Sequence, residues 1–327
     1  MVDFVLCASL MLSKSYCGHR DLRMPVSFNL DRGILVTGAS GRIGSRLVNK
    51  LKEKGYTSVT GLDLHPAHDS RADAFRVADL SNSESLTEAL GRSSFDSLIH
   101  AAAITADSDD REHSDRVVTV NTVGILNLLR TVTVRESVIF RSTIEVYPLS
   151  KGRVWSPSDP CEPESFYGLS KRLGELILQF CSMLNDTRLV ILRLGPVYGS
   201  NDDLPNAVSS FVSKAIGGEE IVLYGDGSSL RDYLYIDDAV DALIWALEHP
   251  IPGIFNVSAN QPVQLSQVAE MILSRIGGGS IRYLRESSNP PDKLMDTYLT
   301  RHVLGYSCKV PLSQGLDRLV GHSDRKE

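Results

Sequence analysis

The feature that most constrains this chain is the segment ILVTGASGRIG, Ile34 to Gly44, in which a β-branched apolar run enters a glycine turn and leaves it as an amphipathic helix. Gly38, Gly41 and Gly44 have the GxxGxxG spacing. Glycines at these places permit a tight turn, a close backbone approach to a diphosphate, and tight packing of helix on strand, while the helix N-terminus faces the anion. Ser40, Arg42 and Ile43 complete the turn, and Asp63 closes the next apolar run. A carboxylate there accepts hydrogen bonds from an adenosine ribose and repels a 2′-phosphate, which favours NAD over NADP. Arg42 is the counterweight, since a guanidinium in the turn could hold such a phosphate.

The rest of the chain repeats the unit. Strands are expected at Ile34 to Thr37, Ser58 to Leu62, Ala74 to Val77, Ser97 to Ala101, Ser137 to Arg141 and Leu189 to Leu194. Helices are expected near Ile43 to Lys54, Ser83 to Leu90, Arg116 to Thr133 and Phe166 to Leu184. Strands alternating with helices of this length make a parallel sheet, so the fold class is α/β, a Rossmann-type doubly wound sheet. After Gly195 shorter elements broken by Gly and Pro indicate a smaller C-terminal α/β lobe. The expected division is an N-terminal extension at 1–31, a dinucleotide-binding domain at 32–194 and a substrate lobe at 195–327, with 232–248 returning to the first domain. Residues 1–31 are either a flexible arm or the result of an upstream start, with Met24 the true first residue. The Pro-rich stretch from Pro148 to Pro163 reads as a loop without elements, placed to cover a site.

Composition removes several classes. Hydrophobic residues at 42% and charged residues at 23% are ordinary for a folded soluble chain. A net charge of −6 without a long basic run gives no surface for a nucleic-acid partner. The apolar run Phe4 to Leu12 is too short to span a bilayer. Five cysteines without a CxxC pair suggest neither a metal site nor a disulfide framework, and a reducing cytoplasm is expected.

Tyr167 and Lys171, in YGLSK, stand four residues apart and so on one face of a helix. A phenol with a pKa of about 10 is a poor base at neutral pH, but a neighbouring ammonium favours the phenolate and makes proton transfer feasible. The pair becomes a catalytic candidate because it follows a dinucleotide site.

With these motifs on the page, the chain resembles an extended short-chain dehydrogenase/reductase of the NAD-dependent epimerase/dehydratase family, the branch that modifies nucleotide sugars. TGASGRIG and YGLSK carry the resemblance, with Asp79-Leu80, HAAA (His100 to Ala103), Asn121, STIEVY (Ser142 to Tyr147), RLGPVYG (Arg193 to Gly199) and GDGSSLRDYLYIDD (Gly225 to Asp238). FNVSANQPVQLSQVAEMI (Phe255 to Ile272) extends it further. The resemblance implies that Asp79, Leu80, Ala101, Ala102, Ala103 and Asn121 flank the cofactor and that Thr143 hydrogen-bonds the reacting sugar oxygen. It implies further that Lys171 also binds the nicotinamide ribose, that Arg231 contacts a substrate diphosphate, and that the protein is a homodimer. His100 reads as a satisfied core histidine.

Two positions depart from the pattern. Pro196 stands where nucleotide-sugar members carry an Asn whose amide reaches phosphate, and proline has no amide donor to offer. Ile144 and Glu145 follow Thr143 where 4,6-dehydratases carry Asp then Glu, and an isoleucine cannot protonate departing water. The expected activity is therefore epimerisation at C4 through a transient keto sugar, with Glu145 as a further acid/base or positioning group. A ketosugar reductase, a decarboxylase, a dehydratase or a dehydrogenase of another small alcohol are the alternatives within the fold, and a cofactor-binding regulator without catalysis is the alternative outside it.

Overall fold

The computed structural model describes residues 29–67, 69–105, 114–199 and 206–323. Most of the expected N-terminal extension, residues 1–28, lies outside the described residues.

The chain runs β1 (Ile34–Thr37), α1 (Arg42–Glu53), β2 (Val59–Asp63), β3 (Ala74–Val77), α2 (Ser83–Leu90) and β4 (Ser94–His100). Next come α3 (Ser114–Val118), a π turn (Thr119–Val123), α4 (Gly124–Thr131), β5 (Thr133–Thr143), α5 (Phe166–Asn185) and β7 (Arg188–Leu194). A short β6 (Val154–Trp155) lies in the loop before α5. Together with β12 (Gly253–Val257), these long strands form one seven-stranded sheet in the order β12-β7-β5-β4-β1-β2-β3. Every pairing in it is parallel.

The alternation of side chains along each strand supplies two cores at once. Ile34, Val36, Ile139, Val190 and Leu192 face one side, where they meet Leu47 and Leu51 of α1. Leu35, Val138, Phe140, Leu189 and Ile191 face the other, against Leu86 of α2, Leu128 of α4 and Leu178 of α5.

Three expectations need correction. The helix expected at Arg116 to Thr133 is broken by the π turn and ends at Thr131. Thr133 instead opens β5, because the β-branched run TVTV continues the strand pattern upstream of Ser137. The Pro-rich loop is not wholly without elements, since β6 pairs with β15 (Leu294–Met295). The boundary near residue 195 is crossed by more than 232–248. Helix α7 (Ile236–Glu248) packs on α1 through the first core, and β12 adds a strand beyond β7.

The remainder forms the smaller lobe from two-stranded pairs: β8 (Val197–Tyr198) with β11 (Leu234–Tyr235), β9 (Ile221–Tyr224) with β14 (Ile281–Leu284), and β10 (Leu230–Arg231) with β13 (Val263–Gln264). Helices α6 (Ala207–Ile216), α8 (Leu265–Ile276), α9 (Tyr298–His302) and α10 (Leu312–Ser323) complete it. No described helix is long and apolar enough to cross a membrane.

Candidate active site

A cleft of about 750 Å³ opens at the C-terminal ends of the sheet strands, where ligands of doubly wound folds bind. Gly38, Ser40, Gly41, Arg42, Ile43 and Gly44 form one wall. Gly38 has φ +72°, and a Cβ there would lie 2.7 Å from the Ala102 nitrogen. A Cβ on Gly44 would lie 1.9 Å from the Gly38 oxygen, so the turn closes only with glycine at both places. Gly41 caps α1 without a side chain, which leaves the first N–H groups of the helix for an anion in the cleft.

Asp63 ends β2 in the cleft wall, and its carboxylate accepts from the Ser40 N–H at 2.9 Å. That bond ties the carboxylate to the glycine turn. Asp79 lines the cleft with Leu80 and folds its own turn by accepting from the Ser81 N–H (2.8 Å) and hydroxyl (2.6 Å). The cap of α2 is Asn82. Ala101, Ala102 and Ala103 form the floor. Uncapped helix N–H groups for a diphosphate and a carboxylate for a ribose make this cleft fit a dinucleotide.

His100 lies beneath the floor. Its Nδ1 is 2.8 Å from the Thr37 hydroxyl, and its ring stacks on Phe140. Burial, helped by the charges of Lys171 and Arg141, pushes its pKa down to about 3, so the imidazole is neutral. Asn121 is also out of the wall. Its amide oxygen accepts from the Ile104 N–H, and its amide nitrogen donates to the Ile104 carbonyl and the Ser170 hydroxyl, all at 2.9 Å. Three of the four hydrogen-bonding places of the amide go to the protein. Asn121, within the π turn, ties the floor segment to α5.

A second pocket, of about 370 Å³, adjoins the cleft, and Arg42, Thr105 and Arg141 line both. Thr143, Glu145, Ser165, Tyr167, Gly195, Pro196, Val197 and Lys293 line it. Thr143 reaches the pocket as the last residue of β5. Ser165 caps α5 by accepting from the Gly168 N–H at 3.0 Å, which fixes Tyr167 in the first turn. A Cβ on Gly168 would come within 2.1 Å of the Glu145 oxygen, so glycine is required for α5 to approach the strand end. Lys171, one turn on, is buried with its ammonium 4.1 Å from the Phe140 ring centre. Burial and the Arg141 charge push its pKa well down, while Glu175 opposes them.

Two expected residues are differently engaged. Glu145 forms an ion pair with Lys293. Arg231 is buried in β10, donating from Nη1 to the carbonyls of Leu230 (2.9 Å) and Pro291 (2.7 Å), and it lines neither cavity.

The sequence reading missed Arg141, Ser165, Lys293 and a buried network. Glu175 accepts from Ser142 (2.5 Å), Arg172 (2.9 Å) and both arms of Arg193 (2.9 and 2.7 Å). Arg193 also donates to the Tyr147 hydroxyl (2.8 Å), which donates to Asn256 (2.8 Å). Ser142 and Arg193 stood inside quoted motifs, but Glu175 carried no signal beyond an acidic residue on an apolar helix face.

The chain was compared with known proteins. It is 30% identical over 310 residues to the UDP-glucose 4-epimerase of Mycolicibacterium smegmatis, covering 88% of this chain and 96% of that one. It is 27% identical over 325 residues to UDP-glucuronic acid decarboxylase 1 of Xenopus tropicalis, covering 93% and 75%. The structure of Thermus thermophilus UDP-glucose 4-epimerase in complex with NAD superposes with a TM-score of 0.76 at 25% identity, covering 88% and 98%. The NAD dependent epimerase/dehydratase family matches residues 34–258, a span that holds the glycine turn, Asp63, Thr143, Tyr167 and Lys171. A sheet, a cleft and a Tyr–Lys helix in this arrangement agree with that match, and the chain belongs to the NAD dependent epimerase/dehydratase family.

Proposed function

We propose that this protein is a nucleotide-sugar 4-epimerase that works through transient oxidation, with NAD as its cofactor. The observation that carries the reading is the meeting of Thr143 and Tyr167 in a pocket continuous with the glycine-turn cleft. The helix N-terminus of α1 would hold the diphosphate of the cofactor and Asp63 would accept from its ribose. When bound, the cofactor would supply a hydride acceptor that can give the hydride back. Thr143 holds the sugar hydroxyl in place through its own hydroxyl. Tyr167 takes the proton from that hydroxyl as the carbon is oxidised, with Lys171 one turn further along α5. The keto sugar turns within the pocket that Thr143, Tyr167, Pro196 and Val197 line, and Tyr167 returns the proton as the opposite face is reduced. Glu145, paired with Lys293, is the further acid/base or positioning group of the pocket.

The test is mass spectrometry with isomer-resolving chromatography, using NAD and a panel of UDP-, dTDP-, GDP- and CDP-sugars. A product of unchanged mass and shifted retention is expected. Loss of water or carbon dioxide would move the assignment to a dehydratase or decarboxylase, and silence across the panel would remove nucleotide sugars as the substrate class.

The protein is proposed to work as a homodimer in the cytoplasm. Leu169, Leu176, Phe180, Met183 and Leu184 are exposed along α5, and the 169, 176, 180 and 183 positions follow the spacing of a helix-packing seam. A second copy of the same helix would cover it.

A further inference from the structure

We propose that Arg141 makes an anion subsite at the reacting end of the pocket, so that the preferred sugar carries a carboxylate close to the carbon that Thr143 and Tyr167 address. The proposal rests on the nucleotide-sugar reading and names a feature of the sugar within it.

Arg141 and Thr143 are two residues apart on β5 and so point to the same face. Arg141 lines both cavities, at the place where they join. Its Nε is buried and meets no acceptor among the described residues. A buried charged donor without a partner is costly, and such a group in a binding pocket implies an acceptor brought by the ligand. The electrostatics specify which kind. Among the described residues, the charged groups that line the smaller pocket are Arg42, Arg141, Lys293 and Glu145, three cations to one carboxylate. The same positive field from Arg141 pushes down the pKa of Lys171 and His100. A guanidinium in a partly dry site favours a planar anion that accepts two parallel N–H bonds, as a carboxylate does.

Other anions are placed elsewhere. The cofactor diphosphate fits the start of α1, which follows β1, and β1 is two strands from β5, roughly 10 Å at the usual strand spacing. The substrate's reacting carbon must lie by Thr143, so an anion beside Arg141 belongs to the sugar ring.

The test is calorimetric titration of the NAD-loaded protein with UDP, UDP-glucose and UDP-glucuronate, the two sugars differing only in hydroxymethyl against carboxylate. The wild type is expected to bind UDP-glucuronate at least tenfold more tightly than UDP-glucose. Arg141→Gln should remove most of that preference, and Arg141→Lys should keep part of it. Equal affinity for the two sugars in the wild type overturns the proposal. So does an equal weakening of UDP itself in Arg141→Gln, which would place the guanidinium on the diphosphate, or a weakening of NAD alone, which would place it on the cofactor. If no nucleotide sugar binds, the nucleotide-sugar reading fails by itself. Saturation-transfer NMR with millimolar D-glucuronate against D-glucose then still decides the subsite, since a signal for glucuronate that Arg141→Gln abolishes supports it and equal signals overturn it.

Discussion

Arg193 of β7 and Glu175 of α5 form a two-point ion pair in the protein interior, Nε to Oε1 at 2.9 Å and Nη2 to Oε2 at 2.7 Å. Burial pushes the Glu175 carboxyl up, but the Arg193 bonds and charge, with Ser142 and Arg172, outweigh it and hold the group below the usual carboxylate range. Arg193 extends the contact to Tyr147 and to the Pro157 carbonyl, and so fixes the loop before α5 to the sheet. Removing one partner leaves a buried, uncompensated charge. Glu175→Gln should lower stability by about 3 to 5 kcal/mol. Urea unfolding at pH 7.5 checks this, and a loss below about 1 kcal/mol would mean the pair is structurally dispensable. Replacing both partners by methionine should cost less than replacing Glu175 alone.

Tyr167→Phe deletes only the titrating hydroxyl. Turnover should fall by about 10² to 10⁴-fold, while NAD affinity stays within a few-fold of the wild type. Single-turnover kinetics with fluorescence titration of the cofactor separate the two quantities. Near-normal turnover would reassign the acid/base.

Asn121 makes three amide hydrogen bonds, two to Ile104 and one to Ser170. Asn121→Ala leaves those groups unsatisfied and should cost about 1 to 3 kcal/mol of stability. NAD should also bind less tightly, because the Ala101 to Thr105 floor loses its tether. Unchanged cofactor affinity in a folded variant would show that α5 alone holds the floor.

His100 makes stability depend on acid. Its imidazole resists protonation down to about pH 3 in the folded chain, whereas the unfolded chain takes up the proton near 6.5. Between those values the unfolded state binds more protons, so this contribution is complete above about pH 6.5 and is lost as pH falls. From pH 7.5 to pH 5 the loss is about 2 kcal/mol. His100→Asn should flatten the pH dependence by that amount in denaturant titrations at the two pH values. An equally steep dependence in the variant would place the protonation elsewhere.

The apolar seam on α5 predicts assembly. Phe180 and Met183 are 59% and 71% exposed, high for such large apolar side chains in a monomer. The wild type should be a dimer at micromolar concentration by light scattering, and the double variant Phe180→Glu, Met183→Glu should be a monomer. A monomeric wild type would remove the homodimer from the proposal.

The sequence by itself determined the first six strands of the sheet, the glycine turn and the Tyr167–Lys171 pair, because each is written in local periodicity or in spacing within one turn. Gly38 and Gly44 are legible for the same reason, since their constraint is a contact between residues six positions apart. What only the tertiary structure decided are the relations between distant segments. The place of β12 beside β7 depends on a pairing between residues 63 positions apart, and no local pattern announces it. The meeting of the Asn121 amide with Ile104 and Ser170 depends on the π turn and on the packing of α5. The pairing of Glu145 with Lys293, from the far end of the chain, is equally invisible in the local pattern. Arg141 shows nothing in sequence beyond a cation in a strand, and its meaning comes from the lack of an acceptor where two cavities join. Periodicity fixes which face of an element is buried, while the partner of a buried charge is set by which distant element packs on that face.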